Sequence, residues 1–317
     1  MRIFRILALA DLHLKETKPE CRDVNEDWIA TIDSKIQFIS TLARKQHVNN
    51  IVIAGDIFDS WRTNSMEFLI QCAGWLSLLN KTCSRFNGIN NPDSLICIPG
   101  NHDSMGGNPE ELKRSPYTLM ANMGAFKHLG KNRGLYYPVY YSDDLHDGTI
   151  KHNGRPIIVM HKGMYYKDKP FDDAKEENNI EWFVENCTSE NTRLIISGDY
   201  HKPFTQEING ITCVNCGSVF RLRADQINYK PKATIIDYDM DYNKILKVED
   251  YPLPLTYDIH RDHIDEKKEL YQKLSEMLDT VDDSFELSLN FKDNFKHLIA
   301  NDPNKDKLLT LFEAMYD

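Results

Sequence analysis

The sequence contains no low-complexity tract and no apolar run long enough to cross a bilayer. Neither a disordered, repeat-like chain nor a membrane-spanning one is therefore expected. Cysteine supplies no framework either. The seven cysteines are odd in number, irregularly spaced and mostly within apolar segments, so they read as reduced core thiols rather than disulfides. Cys213-Val214-Asn215-Cys216 looks like half a zinc site, but no second pair exists, and a plain strand is the simpler reading. Positive charge is also in short supply: 38 Lys and Arg stand against 48 Asp and Glu, a net charge of -10. That balance argues against a free-standing DNA-coating protein, whose basic surface would release counterions from phosphates. It does not exclude nucleic acid at a carboxylate-rich cleft that bound divalent metals neutralise. Met1-Arg2-Ile3-Phe4-Arg5 leads directly into a strand-like run, so no cleavable signal peptide is expected and a cytoplasmic location is the default.

What the chain does have is a set of short apolar runs that stop abruptly at polar residues. Leu95-Ile96-Cys97-Ile98 ends at Pro99-Gly100-Asn101-His102-Asp103, and the run from Ile3 ends at Asp11-Leu12-His13. Ile51 to Ala54 ends at Gly55-Asp56-Ile57-Phe58-Asp59, Pro156 to Met160 at His161, and Leu194 to Ser197 at Gly198-Asp199-Tyr200-His201. Short β-branched runs closed by glycine or proline fit buried strands better than helices, which need more length. Ligands bind beyond the carboxyl ends of strands in open α/β sheets, so these five ends are expected to converge on one site.

Between the runs, Trp28, Ile32, Ile36, Ile39 and Ala43 recur at three- and four-residue spacing, which predicts an amphipathic helix over 27–48. Asn64 and Glu67 precede Phe68, Leu69, Cys72, Leu76 and Leu79 in a capping-box-like start to a second helix. Strand, helix, strand, helix, strand is the order of a parallel sheet built from crossovers, so the fold class is α/β. A short helix is expected over 116–123, a strand or edge loop over 135–141, and a helix over 176–185. Segments 211–216 and 233–238 read as strands of a second, mixed sheet. A boundary is expected near Tyr251-Pro252-Leu253-Pro254. It separates a domain of residues 1–250 from a small α+β region, 251–317, with helices over 266–278 and 305–315 and a strand over 285–291. That region is either a packing appendage or a docking module.

Asp11, His13, Asp56, Asn101, His161, Asp199 and His201 offer oxygen and imidazole donors and no thiolate. Such a set suits manganese, magnesium, iron or zinc rather than a soft metal. Seven ligands exceed the needs of one ion; a pair of ions about 3.5–4 Å apart is the recurring solution for phosphoester hydrolysis. Any one of these residues alone would more readily be a turn residue, and only the joint pattern reverses that reading.

Asp-x-His, Gly-Asp-x-x-Asp, Gly-Asn-His-Asp, a lone His and Gly-x-x-His, in that order, resemble the calcineurin-like metallophosphoesterase superfamily over roughly residues 1–240. The resemblance implies a two-sheet core flanked by helices, an αββα layering. It implies one metal held by Asp11, His13, Asp56 and His201, and a second held by Asp56, Asn101, His161 and Asp199, with Asp56 bridging. It further implies that His102 sits over the scissile phosphate as general acid or charge stabiliser and that Asp59 orients its imidazole. Gly198-Asp199-Tyr200-His201 departs from the usual Gly-His-x-His. A carboxylate in that place adds negative charge and favours manganese, or magnesium, over softer ions.

Superfamily membership fixes reaction class rather than substrate. Gly55-Asp56-Ile57-Phe58-Asp59 lacks the Val-Asp-Arg-Gly continuation of protein Ser/Thr phosphatases and, followed by a helix, looks like the SbcD nuclease subunit. Asn215-Cys216-Gly217-Ser218, with Arg221, Arg223 and Asp225 after it, resembles the Gly-Ser segment of the same family. The likeness implies manganese-dependent exonuclease or endonuclease action on DNA in repair, recombination or replication. It also implies an SbcC-like coiled-coil ATPase as partner, with a homodimer open. Lys162, Arg221 and Arg223 lie beside ligand positions among aromatics, as a phosphate track would, or else as a solvated loop and locally paired arginines. The alternatives are an enzyme of small phosphodiesters such as cyclic nucleotides, or a non-enzymatic scaffold. A scaffold has no need of such a costly carboxylate cluster.

Overall fold

A computed structural model describes residues 2–23, 25–62, 64–83, 94–104, 109–129, 139–141, 157–170, 174–255, 299 and 303–316. Every apolar run above forms a strand. β1 (Ile3–Leu9), β2 (Asn50–Ala54), β3 (Leu95–Ile98) and β4 (Lys127–His128) pair in parallel. A second sheet pairs β5 (Val139–Tyr141), β6 (Ile157–His161), β7 (Leu194–Gly198) and β9 (Ile211–Asn215) in parallel, with β8 (Phe204–Ile208) antiparallel at its edge. β10 (Lys232–Asp239) does not join this mixed sheet as a neighbour of β9. It pairs antiparallel with β1 in the first sheet and carries β11 (Lys244–Pro252) beyond it.

Side chains alternate faces along a strand, and the alternation builds the layers. Phe4, Ile6, Ala8, Val52, Ala54, Ile96 and Ile98 meet Ile157, Val159, Leu194, Ile196 and Val214 between the two sheets. Leu7, Leu9, Ile51, Ile53, Leu95 and Cys97 face outward onto α1 (Trp28–Lys45) and α2 (Met66–Thr82). Ile158, Met160, Ile195 and Cys213 face α5 (Ile180–Cys187) on the far side. The arrangement is α/β in four layers, two sheets flanked by helices. A core strand covered on both faces has no polar side to show, which is why β2 and β3 are buried throughout.

The helices start where side chains can cap them. Asp27 accepts from the amide of Ala30 at the start of α1, and Arg44 and Lys45 occupy its last turn, where cations suit the helix dipole. α2 is capped by Ser65, which accepts from Phe68, rather than by Asn64, whose amide donates to the Arg62 carbonyl. Two short helices, α3 (Pro109–Leu112) and α4 (Pro116–Asn122), follow β3. The helix expected over 176–185 is a 3₁₀ turn, Glu176–Asn178, and then α5, because Asn179 caps Glu181 and Trp182 and restarts the helix. Cys213 and Cys216 are buried strand and loop thiols, and burial pushes Cys213 up to about 12. The chain forms two compact units, Met1–Asp258 and Ile259–Asp317. In the second, a helix spans Lys305–Tyr316 with Leu308 buried; the expected elements at 266–278 and 285–291 lie outside the described residues, as do positions 135–138. No helix among the described residues is long and apolar enough to cross a membrane.

α1 also turns a lysine inward. Lys35 is 4% exposed; its ammonium donates to the Val219 carbonyl at 3.0 Å and lies 4.6 Å from the centre of the Phe220 ring. Burial, then the charges of Arg22 and Arg221, lower its pKa from 10.5 to about 7. Between those values the unfolded chain binds a proton that the folded chain has released, so stability rises with pH across that window. Denaturant unfolding of wild type against Lys35→Met should show the wild type gaining on the variant between pH 7 and 10, by up to about 1.4 kcal/mol per pH unit.

Candidate metal centre

All five strand ends meet. The loops after β1 and β2 are laced together: Asp11, His13 and Leu14 donate their amides to the carbonyls of Gly55, Asp56 and Ile57. This prolongs the parallel ladder past the strands and sets the ligand side chains at fixed spacing. Asp11, His13, Asp56 and Asp199 all lie at positive φ, between 44° and 76°. Left-handed backbone is uncommon for non-glycine residues and concentrates at functional sites, where the surroundings must hold it. Here it turns each side chain from the strand direction into the cleft.

Asp11, His13 and His201 present ligand atoms within 4.8 Å of one another, as do Asp11, Asp56 and His161. The Nε2 atoms of His13 and His201 are 3.3 Å apart, and His13 Nε2 is 3.6 Å from Asp56 Oδ2. His161 Nε2 lies 3.2 Å from Asp56 Oδ2, 2.9 Å from Asn101 Oδ1 and 3.8 Å from Asp199 Oδ1. Its Nδ1 donates to the Ala54 carbonyl at 2.8 Å, which leaves Nε2 aimed at the oxygens. The structure thus brings all seven expected ligand residues together, and Asp56 lies between the two histidine groups. Asp199, the departure from the usual histidine, is exposed, as Asn101 is; its amide bonds both Asp11 oxygens at 3.1 Å.

The electrostatics of the cleft call for positive charge. Burial, opposed by His161 and by the Asp199 amide but reinforced by the charge of Asp56, raises Asp11 to about 7. Burial opposes a charge on His161, yet the hydrogen bond and charge of Asp56, with Asp11 and Asp199, hold a proton on it to about 10. A divalent cation would answer the same demand with the same donors. Glycines make the room: a Cβ on Gly55 would run into the His161 ring, one on Gly100 into the Asp56 carboxylate, and one on Gly163 to within 2.9 Å of Asp199 Oδ2. Hard oxygen and imidazole donors, crowded carboxylates and glycine-cleared space fit a pair of divalent metals.

Asp59 meets the His102 ring through its main chain. His102 Nδ1 lies 2.8 Å from the main-chain carbonyl of Asp59, not from its carboxylate. The Asp59 side chain is engaged by Lys15, with Nζ 3.1 Å from Oδ2. The His102 ring is therefore oriented by the Asp59 backbone, and its amide donates to Asp56 Oδ1 at 2.9 Å. A spacing motif cannot tell a carbonyl from a carboxylate of the same residue.

Asp103 ends the strongest motif but carried no expected role. Its buried carboxylate accepts the amides of Ile57, Phe58 and Gly100 at 3.2, 2.9 and 2.9 Å, buckling the β2 loop that holds Asp56 to the β3 loop that holds Asn101. Three aligned main-chain donors in loops 45 residues apart leave no trace in the sequence pattern.

The expected substrate cations divide. Arg221 is buried and its Nε donates to the Tyr229 carbonyl at 2.7 Å, so it braces the loop rather than facing a phosphate. Lys162 is half-buried, 5.9 Å from the centre of the Phe183 ring, and burial lowers its pKa; it packs on α5. Arg223 is exposed, and its charge bears on His201.

The fold and this cluster define a metal-dependent phosphoesterase. The chain belongs to the calcineurin-like phosphoesterase family, whose model matches residues 4–229, a family that typically binds two divalent metals. No curated protein matches the sequence. Similar solved structures include a novel archaeal phosphodiesterase, 12% identical with a TM-score of 0.38 over 79% of this chain and all of that one. A protein assigned as a 5'-nucleotidase from Staphylococcus aureus is 12% identical, TM-score 0.44, over 86% of this chain and 59% of that one. Vacuolar protein sorting 29 from Cryptosporidium parvum is 14% identical, TM-score 0.36, over 80% of this chain and all of that one.

Removing the Asp103 carboxylate strands three buried amides, each worth about 1–3 kcal/mol. Asp103→Ala should lower the melting temperature and weaken metal binding, both read on the purified chain, although Asp103 faces no ligand position. Metal binding must also displace the proton that the carboxylates hold on His161. Calorimetric metal titration in buffers of different ionisation enthalpy should register proton release at pH 7, and metal affinity that rises with pH up to about 10.

Proposed function

We propose that this chain is an SbcD-type nuclease subunit that hydrolyses DNA phosphodiester bonds with manganese. The observation that carries the reading is the cleft itself, where seven oxygen and imidazole ligands meet beside a ring, His102, that is anchored at Nδ1 and partly exposed. The Gly55-Asp56-Ile57-Phe58-Asp59 turn running on to α2 supports it, as does Arg62, which is exposed 5.9 Å from the Trp61 ring in place of a phosphatase arginine at the ligands. Bound metals would supply Lewis-acid activation of water and neutralise the phosphate charge. Asp11, His13, Asp56 and His201 would hold one and Asp56, Asn101, His161 and Asp199 the other. His102, anchored through Nδ1, offers Nε2 to protonate the departing alkoxide. Arg223 is the cation that would meet the DNA backbone near the cleft. A net charge of -10 leaves much of the duplex affinity to a partner, for which an SbcC-like coiled-coil ATPase docking beyond residue 250 is proposed.

The test is hydrolysis of linear duplex DNA, single-stranded DNA and bis-p-nitrophenyl phosphate with manganese. DNA cleavage by wild type, lost by a factor of about 100 or more in His102→Ala with metal content unchanged, is the expected result. Turnover confined to the small ester, even with the ATPase partner added, would replace DNA by small phosphodiesters as the substrate.

A further inference from the structure

His13 has two chemically distinct sides. Nε2 faces the ligand cluster, 3.3 Å from His201 Nε2 and 3.6 Å from Asp56 Oδ2. Nδ1 is buried and has no hydrogen-bond partner, and the acceptor opposite it is Asp59 Oδ1 at 3.6 Å. A buried ring N–H left unpaired is costly, and an imidazole that ligates through Nε2 must carry its proton on Nδ1. The Asp59 carboxylate is held where that proton points. Its other oxygen is tied to Lys15 Nζ at 3.1 Å, and Lys15 is fixed in turn by its carbonyl, which accepts the Trp28 indole N–H at 2.9 Å. The separation is set by the laced loops: His13 donates its amide to the Asp56 carbonyl, and Asp59 donates its own to the Leu14 carbonyl.

We propose that Asp59, steadied by Lys15, is the positioning residue of His13. Its carboxylate accepts a hydrogen bond from the Nδ1–H of His13 and so presents Nε2 as a metal ligand, while His102 depends on the Asp59 main chain alone. A side-chain torsion that closes the 3.6 Å gap by about half an ångström completes the hydrogen bond. Lys15 holds the carboxylate turned toward the ring. The assignment rests on the two-metal reading of the cleft and is independent of DNA as the substrate.

Manganese titration of the metal-stripped full chain by calorimetry distinguishes the roles. Wild type should bind two ions. Asp59→Ala should bind one of them about 10–100-fold more weakly, with Asp59→Asn and Lys15→Met weakening the same site by smaller factors. His102→Ala should bind both ions as wild type does. Turnover of bis-p-nitrophenyl phosphate by Asp59→Ala should recover at raised manganese, because the ring of His102 retains its carbonyl anchor. Wild-type metal affinity in Asp59→Ala, with turnover that stays low at saturating manganese, would show that the carboxylate serves His102 and overturn the proposal. If Asp59→Ala fails to fold, Asp59→Asn and Lys15→Met carry the same comparison. A wild type that binds no metal overturns the metal reading itself, a separate outcome.

Discussion

Everything in this cleft answers the mutual repulsion of carboxylates that share a nearly dry space. Asp11 and Asp56 are buried, Asp199 stands at their rim and Asp103 lies just beneath. Burial first, and the charge of Asp56 after it, resist the ionisation of Asp11 and Asp103, and the chain surrounds the carboxylates with donors. Asp199 gives its amide to Asp11, His102 gives its amide to Asp56, and three amides converge on Asp103. The histidines supply what the amides do not. The balance left over is a demand for cationic charge at the point where phosphate chemistry needs it.

That demand shapes the backbone as well. Four site residues adopt left-handed conformations, and glycines at 55, 100 and 163 surrender the space in which ligand side chains stand. The strain is borne by the parallel ladders of both sheets, whose cores are buried on both faces. Ser218 braces the rear of Asp11, with its hydroxyl on the Asp11 carbonyl and the Val219 amide beside it. Lys35, reaching from α1 to the Val219 carbonyl, ties that brace to the helical layer. A helix, two sheets and a loop more than 180 residues further on are thus coupled to one ligand.

Much of this was legible in the sequence. Apolar runs that end in acids, amides and imidazoles announce strands and a site at their carboxyl ends, because strand burial and turn chemistry are both local properties. The expected ligand residues were readable only from the joint pattern of those ends, since any one of them alone reads as a turn residue. The pairing of β10 with β1 was not, since an antiparallel partner 230 residues away is chosen by packing and leaves no periodicity of its own. Nor were the fates of Arg221, which spends its Nε on the Tyr229 carbonyl, and of Lys162, which lies along Phe183. Adjacency to a ligand in sequence does not say which way a long side chain turns.

The division is sharpest at Asp59. Sequence by itself determined that a carboxylate stands three residues after Asp56 and that an imidazole follows Asn101, and with them the kind of chemistry the cleft can perform. Only the tertiary structure decided that the Asp59 carbonyl meets His102 and that its carboxylate lies between Lys15 and His13. Residue identity and spacing are written along the chain. Which atom of a residue meets which partner depends on sub-ångström placement of loops that only the assembled sheets bring together.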